Sequence, residues 1–387
     1  MTRPDDNPRV PARRVLVLCE YPTLGGGEHS LLSTVPFIQR AGYEVNIAAP
    51  PDGPLADTVI QRGLRLIPFE SCDADGRRRS QSALRDRLTR VLRDAKPQLL
   101  HANSLSMARL SGPVAAGLKL PSIGHLRDIL KLSAAAVADL NRHRRLIAVS
   151  AATRDAHVRQ GLDAAKTCVI HNGVDLELFR PRQPTGWLHR ELGLPADAML
   201  VGSIGQMVLR KGQDVLAVAA GLLADDLPQL HYVIVGRRYS QKAEALEYEA
   251  ALLDAFSRGA LAGHAHFLDV RDDVPRILPE LTMLVHTARQ EPLGRVLLEA
   301  AAAGVPIIAT DVGGTREVFP VYGEPSALIV PPDDPIALAA AMRSLVDHPH
   351  RRREISAAAR RRAENAFAAQ MAASKSIQQY EQVLAER

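Results

Sequence analysis

Apolar residues along this chain fall into two alternating rhythms. Short unbroken runs rich in Val, Leu and Ile occur at 14–19 (RVLVLC), 146–150 (LIAVS), 199–204 (MLVGSI) and 232–236 (YVIVG). Runs of that length without polar interruption predict strands buried on both faces of a parallel sheet. Further strands are predicted at 42–47, 99–101, 121–125, 266–268, 283–285 and 305–309, and the stretch 168–175 completes the first half. Between them the apolar positions recur every three or four residues, the helical period. One helix runs from the Gly25-Gly26-Gly27-Glu28 loop to about Arg40. Another lies within 76–95, with Leu84, Leu88, Val91 and Leu92 on one face and Arg85, Arg87, Arg90 and Arg93 elsewhere. Strand–helix alternation starts near Arg14 and starts again near Met199, so the pattern predicts two doubly wound α/β sheets. The stretch 181–186 (PRQPTG) has a linker's composition, and from about 349 onward an Ala/Arg-rich helix runs to the end.

The densest chemistry lies in 286–318. Glu291 and Glu299 stand eight apart, Pro292 opens an Ala/Leu-rich run, and Gly304-Val305-Pro306 closes it. Pro suits a helix's first turn and Gly its end, which predicts a helix on about 293–303. Over eight residues a regular helix turns about 80° beyond two full turns and rises about 12 Å. Glu291 then sits in the loop at the helix mouth and Glu299 further down a nearby face. Helix N-termini bind phosphate, and parallel sheets bind ligands beyond the carboxyl ends of their strands. By spacing alone, a buried amphipathic helix with two solvated acids fits equally well.

This segment closely resembles the E-x7-E signature of the retaining glycosyltransferases of the GT-B fold, family 4. The resemblance extends over nearly the whole chain. It includes a GG-x-E loop (Gly25, Gly26, Glu28), an H-x-R-D stretch beginning at His125, an N-G-V-D turn at 172–175, and R-K-G-Q at 210–213. It implies the GT-B architecture, two Rossmann-like parallel-sheet domains facing a central cleft. The acceptor domain would take 13–182 and be completed by a C-terminal helix at about 366–387. The nucleotide-sugar donor domain would take 183–365, with 1–12 as a flexible tail. The implied activity is retaining, metal-independent transfer of a sugar from a nucleoside-diphosphate sugar to a hydroxyl acceptor. Glu291 would contact the transferred sugar and Glu299 the ribose. The turn at Leu293 and the backbone N–H groups of Gly294, Arg295 and Val296 would meet the diphosphate. Arg210 and Lys211 would supply cations, Gly25 and Gly26 would face the donor phosphates and the acceptor, and Arg271 joins the donor-binding set. His125 would bond the sugar from the opposite domain; His101 is a second candidate imidazole at a strand end.

Five residues at four places depart from the family pattern. Gln206 stands where an Arg is common, so either Arg210 compensates or the phosphates are held differently. Arg237-Arg238 replaces an acidic residue and a second Gly, Asp269 stands where a Gly often follows the strand, and Leu293 replaces Phe. The last three could alter base or sugar preference without abolishing transfer.

Composition narrows the field. A chain of 387 residues with 46% hydrophobic and 24% charged residues is an ordinary globular protein of about two domains. Aromatics at 4% are too sparse for a base-stacking nucleic-acid surface. Cys19, Cys72 and Cys168 show neither disulfide nor metal spacing, which fits a reducing cytoplasm. The start lacks the apolar core of a signal peptide, and no window approaches 18 apolar residues. Net charge is a mild +5, but arginines cluster at 77–79, 142–145, 351–353 and 360–362. These are expected to be solvated faces, with peripheral contact with the anionic inner face of the cytoplasmic membrane as the alternative, shared by the 76–95 helix. Asp73-Ala74-Asp75 spells the metal motif of a different glycosyltransferase fold, but no strand precedes it and it reads as a surface loop. No metal or cofactor is expected besides the donor. A nucleotide-sugar epimerase of the same shape and a catalytically silent scaffold are the competing classes. The absence of G-x-G-x-x-G from the first turn argues against a nicotinamide enzyme. Donor base, sugar, acceptor and oligomeric state are not legible.

Overall fold

The computed structural model describes residues 13–73 and 75–386. The expected tail at 1–12, Ala74 in the D-x-D stretch and Arg387 lie outside the described residues. By internal contacts the chain divides into two units, one ending at His171 and resuming at Gln370, the other spanning Asn172–Ala369.

In the first unit the apolar runs form β1 (Arg13–Leu18), β2 (Tyr43–Ala49), β3 (Arg65–Pro68), β4 (Leu99–Ala102), β5 (Ser122–Leu126), β6 (Arg145–Ala148) and β7 (Thr167–Val169). They make a seven-stranded sheet in the order β3-β2-β1-β4-β5-β6-β7, and every pairing is parallel. The run that starts the chain is central: Val15 pairs with Val45 on one side and Leu99 on the other, and Val15 to Leu18 are buried. The second unit repeats the plan with β8 (Met199–Ile204), β9 (Leu230–Val235), β10 (Ala265–Leu268), β11 (Met283–His286), β12 (Ile307–Thr310) and β13 (Leu328–Val330). Its order is β10-β9-β8-β11-β12-β13, again all parallel. Each unit is therefore a Rossmann-like doubly wound sheet. The order reverses beside the first strand of each, so the loops leaving β1 and β4, and those leaving β8 and β11, run to opposite sides. A crevice opens at each such reversal, and ligands bind there in this class of sheet.

The two units divide at 171/172 and 369/370, some residues from the 182/183 and 365/366 that the resemblance implies. Backbone pairing explains this. Val174 donates to Phe367 O at 2.8 Å and accepts from Ala369 N at 2.9 Å. Arg360 then binds Phe179 O and Ala302 O, and Arg182 binds Pro275 O. The segment 172–182 is thus tied to the second unit. The same pairing interrupts the C-terminal helix, which divides into Pro349–Ala366 and Ala369–Ala385. The last helix buries Ala373, Tyr380 and Val383 in the core of the first sheet.

The amphipathic segment within 76–95 is the helix Gln81–Ala95, started by Ser80, whose hydroxyl accepts from Ala83 N, and ended by Lys96 in the left-handed region. Leu84, Leu88 and Leu92 are buried in the sheet's core, so that stripe is not exposed for insertion into a lipid surface. Much of the clustered arginine charge is also tied down. Arg78 pairs with Glu20, Arg145 with Glu386 and Arg361 with Glu324, while Arg352 and Arg362 bind backbone carbonyls. Asp73 of the D-x-D stretch closes a turn, its Oδ1 accepting from Asp75 N and Arg77 N. Among the described residues no helix is long and apolar enough to cross a membrane.

Leu88→Ala removes a fully buried side chain from this core and is expected to lower unfolding stability by about 2–5 kcal/mol. Denaturant unfolding followed by circular dichroism checks this, and a change within about 0.5 kcal/mol would place the stripe outside the core.

Candidate functional site

At the reversal point of the second sheet, β8 runs into Gly205, then a short turn Leu209–Lys211, then Gly212 and the helix Gln213–Leu223. This turn is laced to the loop leaving β11. Arg289 N donates to Arg210 O at 2.8 Å, Thr287 Oγ1 to Lys211 O at 3.1 Å, and the Arg289 guanidinium to Leu209 O at 2.7 Å. Arg289 also grips both oxygens of Asp214 and reaches Asp333. Gly212 has φ +64°, and a Cβ there would lie 2.1 Å from Thr287 O, so only glycine permits this approach. The Gly313-Gly314 turn secures the other side. Gly314 N donates to Glu291 O at 3.0 Å, and a Cβ on Gly313, φ +53°, would collide with that same carbonyl.

This framework brings three side chains together. Lys211 Nζ lies 2.5 Å from Glu291 Oε2, and His286 Nε2 lies 2.9 Å from the same oxygen. The Glu291 side chain is only 7% exposed. Burial pushes its carboxyl up, but the Lys211 ammonium and the His286 hydrogen bond outweigh it and hold the group below the usual glutamate range. His286 is pulled down, first by burial and then by the Lys211 charge, against the opposing pull of Glu291. The cluster is therefore an ammonium, a carboxylate and a neutral imidazole. Glu291 Oε1 makes no hydrogen bond among the described residues. Beside it the half-buried Arg210 guanidinium has no hydrogen bond or ion pair among the described residues, although its charge reaches His286.

Gly294, at φ +89°, opens the helix Arg295–Ala302. Leu293 is buried beneath it, and Val296 stands in its first turn. Arg295 Nε donates to Glu299 Oε1 at 2.6 Å, one turn further on. Burial raises the Glu299 carboxyl in spite of that partner. Arg271 is not brought into the Lys211–Glu291 cluster. It binds Glu191 at 2.6 Å and Asp273 at 2.7 Å, with its guanidinium near the Trp187 ring.

The reversal point of the first sheet has a different character. Gly25 precedes the helix Gly26–Arg40, and Glu28 folds back so that Gly25 N donates to its Oε2 at 3.1 Å. Burial raises Glu28, opposed by its loop hydrogen bonds and the Arg127 charge. Arg127 lies over Gly27, where a Cβ would meet Arg127 Cδ at 2.9 Å. Its Nε donates to Asn103 O and its Nη2 to Asn103 Oδ1, both at 2.8 Å. Nη2 also lies 3.2 Å from His125 Nδ1. His125 and His101 are stacked, with His125 Nδ1 3.3 Å from His101 Nε2, and His101 Nδ1 is 2.7 Å from Tyr380 Oη. Burial and the Arg127 charge hold His101 down to about 3 and His125 well below the ordinary imidazole value, so both rings are neutral. His125 Nε2 is buried and has no partner among the described residues.

Comparisons with known proteins agree on what this arrangement is. The family profile described as Glycosyltransferase Family 4 matches residues 24–178, and the one described as Glycosyl transferases group 1 matches 188–362. The chain belongs to the family 4, group 1 glycosyltransferases. It is similar to the lipopolysaccharide core biosynthesis mannosyltransferase LpsB of Rhizobium meliloti, 29% identical over 239 residues that cover 59% of this chain and 66% of LpsB. It is 30% identical over 226 residues to a D-inositol 3-phosphate glycosyltransferase of Kineococcus radiotolerans, covering 53% of this chain and 49% of that one. The chain thus spans between about half and two thirds of the length of these relatives. Anabaena HepE, solved in complex with UDP and glucose, superposes with a TM-score of 0.83 at 24% identity, covering 95% of this chain and 99% of that one. That likeness establishes the GT-B fold.

Within this family frame, three side chains that shape the two reversal points went unassigned in the sequence. His286 ends β11, and the rule that singled out His125 at a strand end applies to it equally. Arg289 gave no signal, because its partners Asp214 and Asp333 are remote in sequence. Tyr380 contacts His101 across 279 residues.

Lys211→Met would strand the Glu291 carboxylate in a buried site, and breaking a buried pair from one side costs about 3–5 kcal/mol. The lowered Glu291 pKa adds stability that is fully present above the unfolded value of about 4.3 and is lost only as pH falls through the lower folded value. The gap between wild type and Lys211→Met is therefore widest above about pH 5 and narrows in acid. Thermal unfolding from pH 3.5 to 8 checks this, and a gap that is constant or widens in acid contradicts the charge assignment.

Proposed function

We propose that this chain is a retaining, metal-independent glycosyltransferase that moves a sugar from a nucleoside-diphosphate sugar to a hydroxyl of a glycan, lipid-linked or small-molecule acceptor. The observation that carries this reading is the set of groups at the second reversal point. A half-buried guanidinium without an anionic partner among the described residues, an ammonium and the start of a helix lie beside a carboxylate held in its charged form.

Breaking the bond from the anomeric carbon to a phosphate oxygen releases a diphosphate on which negative charge builds. Fixed cations and oriented N–H groups stabilise charge that develops in the transition state. Arg210 and Lys211 supply the cations, and the first turn at Gly294–Val296 supplies N–H groups along a favourable helix dipole. These groups do the neutralising work that a divalent ion could otherwise do. Glu291, ionised and with Oε1 open, accepts a hydrogen bond from a hydroxyl of the transferred sugar. Glu299 takes the ribose, sharing its carboxylate with Arg295. His125 offers a neutral Nε2–H to a sugar hydroxyl. The acceptor oxygen bonds to the anomeric carbon on the face the phosphate leaves, and its proton passes to the departing phosphate oxygen, so configuration is retained. The UDP named with HepE, and the sugar-transfer names of LpsB and the Kineococcus protein, support a nucleotide-sugar donor. Three free cysteines fit a reducing, cytoplasmic setting.

Calorimetry in the presence of a chelator is expected to show UDP, GDP or ADP binding with micromolar or tighter affinity, and strict dependence on a divalent ion would overturn metal independence. Glu291→Gln keeps the side chain's size while removing its charge, and is expected to reduce kcat by about 100-fold or more with unchanged near-UV circular dichroism. Near-normal turnover would remove Glu291 from the reaction, and net epimerisation of donor without acceptor would move the protein to the epimerase class.

A further inference from the structure

The stacked histidines of the first unit form a hydrogen-bond chain whose direction can be worked out from its members. Arg127 can only donate. Its Nη2 carries two hydrogens; one is directed to Asn103 Oδ1 and the other, at 3.2 Å, to His125 Nδ1. His125 Nδ1 is therefore an acceptor, and in a neutral ring the proton must then sit on Nε2. His101 Nε2, 3.3 Å from the same Nδ1, completes the pair as a donor. His101 Nδ1 is then an acceptor, and Tyr380 Oη at 2.7 Å donates to it. Tyr380 and the two histidines could reverse together, because a hydroxyl and a neutral imidazole each serve in either sense. Arg127 cannot.

We propose that Arg127, acting at the head of a one-way hydrogen-bond chain that ends on Tyr380 of the C-terminal helix, is the positioning residue that fixes His125 as its Nε2–H tautomer. The inference rests on the proposed glycosyl transfer only for the use made of that N–H. Two further observations fit it. His125 Nε2 is a buried polar atom with no partner among the described residues, and a buried donor left unmet is costly. Such an atom in a native fold calls for a ligand acceptor. Gly27 leaves the room that Arg127 occupies, since a Cβ there would meet its Cδ at 2.9 Å. The GG-x-E loop thereby shapes the imidazole through the guanidinium it seats. A neutral donor of fixed direction suits an uncharged sugar hydroxyl acting as acceptor; the opposite tautomer would turn a lone pair toward the ligand and place a hydrogen against Arg127.

The test is long-range proton–nitrogen NMR on the full chain labelled at histidine, with His125 assigned through His125→Gln. In the wild type both rings are expected to be neutral and protonated on Nε2 alone, unchanged from pH 5 to 8. A proton on His125 Nδ1, or a cationic His125 within that range, overturns the proposal. In Arg127→Met the one-way donor is gone, and His125 is expected to populate its Nδ1–H form; Arg127→Lys restores Nε2–H. A folded Arg127→Met that keeps His125 wholly in the Nε2–H form overturns the role of Arg127. Should Arg127→Met not fold, Tyr380→Phe decides the chain's direction. His101 Nδ1 is expected to stay unprotonated there, and a proton on it overturns the assignment. In transfer assays Arg127→Met is expected to lower kcat by about tenfold or more with donor KM within about twofold, and Arg127→Lys to recover part of the loss. A shifted tautomer with unchanged kcat would overturn the positioning role. If the wild type transferred no sugar from any nucleotide sugar, the functional reading would fail while the NMR result still decided the chain.

Discussion

The second unit depends on one constraint: a carboxylate kept ionised where water scarcely reaches it. Burying Glu291 is unfavourable unless a cation lies close and the geometry is fixed. Lys211 at 2.5 Å and His286 at 2.9 Å meet the first need. The second is met by backbone. The loops leaving β8 and β11 are laced through Arg210 O, Lys211 O and Leu209 O, and glycines at 212 and 313 let main chains approach closer than any Cβ would permit. Arg289, gripping Asp214 and Asp333, locks that lacing from outside. Arg210 remains beside the pair with no carboxylate of its own among the described residues. A preorganised positive site of this kind needs little rearrangement to meet a diphosphate.

The two units use the same topology for opposite electrostatics. In the second, Lys211 and Glu291 are paired and Arg210 beside them has no ion pair among the described residues. In the first, the Arg127 charge and burial suppress protonation of His101 and His125, so the site offers direction rather than charge. Arg127 itself is satisfied by Asn103 and countered by Glu28, which together keep a guanidinium tolerable at that depth. The same strand order thus supports a charge-stabilising crevice in one unit and a hydrogen-bond-donating one in the other.

Much of this was legible in the sequence where local rules apply. Unbroken apolar runs gave the central strands, because a strand covered on both faces has no polar side to show. Edge strands β3 and β13 escaped, being short and only half covered. The E-P-L-G turn and the glycines located the Glu291 loop, since positive φ and close backbone approach leave few alternatives to Gly. The Lys211–Glu291 contact was not legible, nor was the Tyr380–His101 bond, because pairings across tens or hundreds of residues leave no periodic trace. The tie of Val174 to Phe367 and Ala369 was not legible for the same reason, because backbone groups form it and no side-chain pattern reveals them. Arg271, placed in the donor-binding set, is held by Glu191 and Asp273 in the fold.

The central claim is that Glu291 is held as an anion by its neighbours against the pull of burial. The most direct measurement is the carboxyl-carbon NMR titration of Glu291 in the folded protein, assigned through Glu291→Gln. The account predicts no titration between pH 7 and 4, the carboxylate staying ionised below the ordinary glutamate value of about 4.3. A midpoint at or above that value would show that burial wins over Lys211 and His286, and would contradict it.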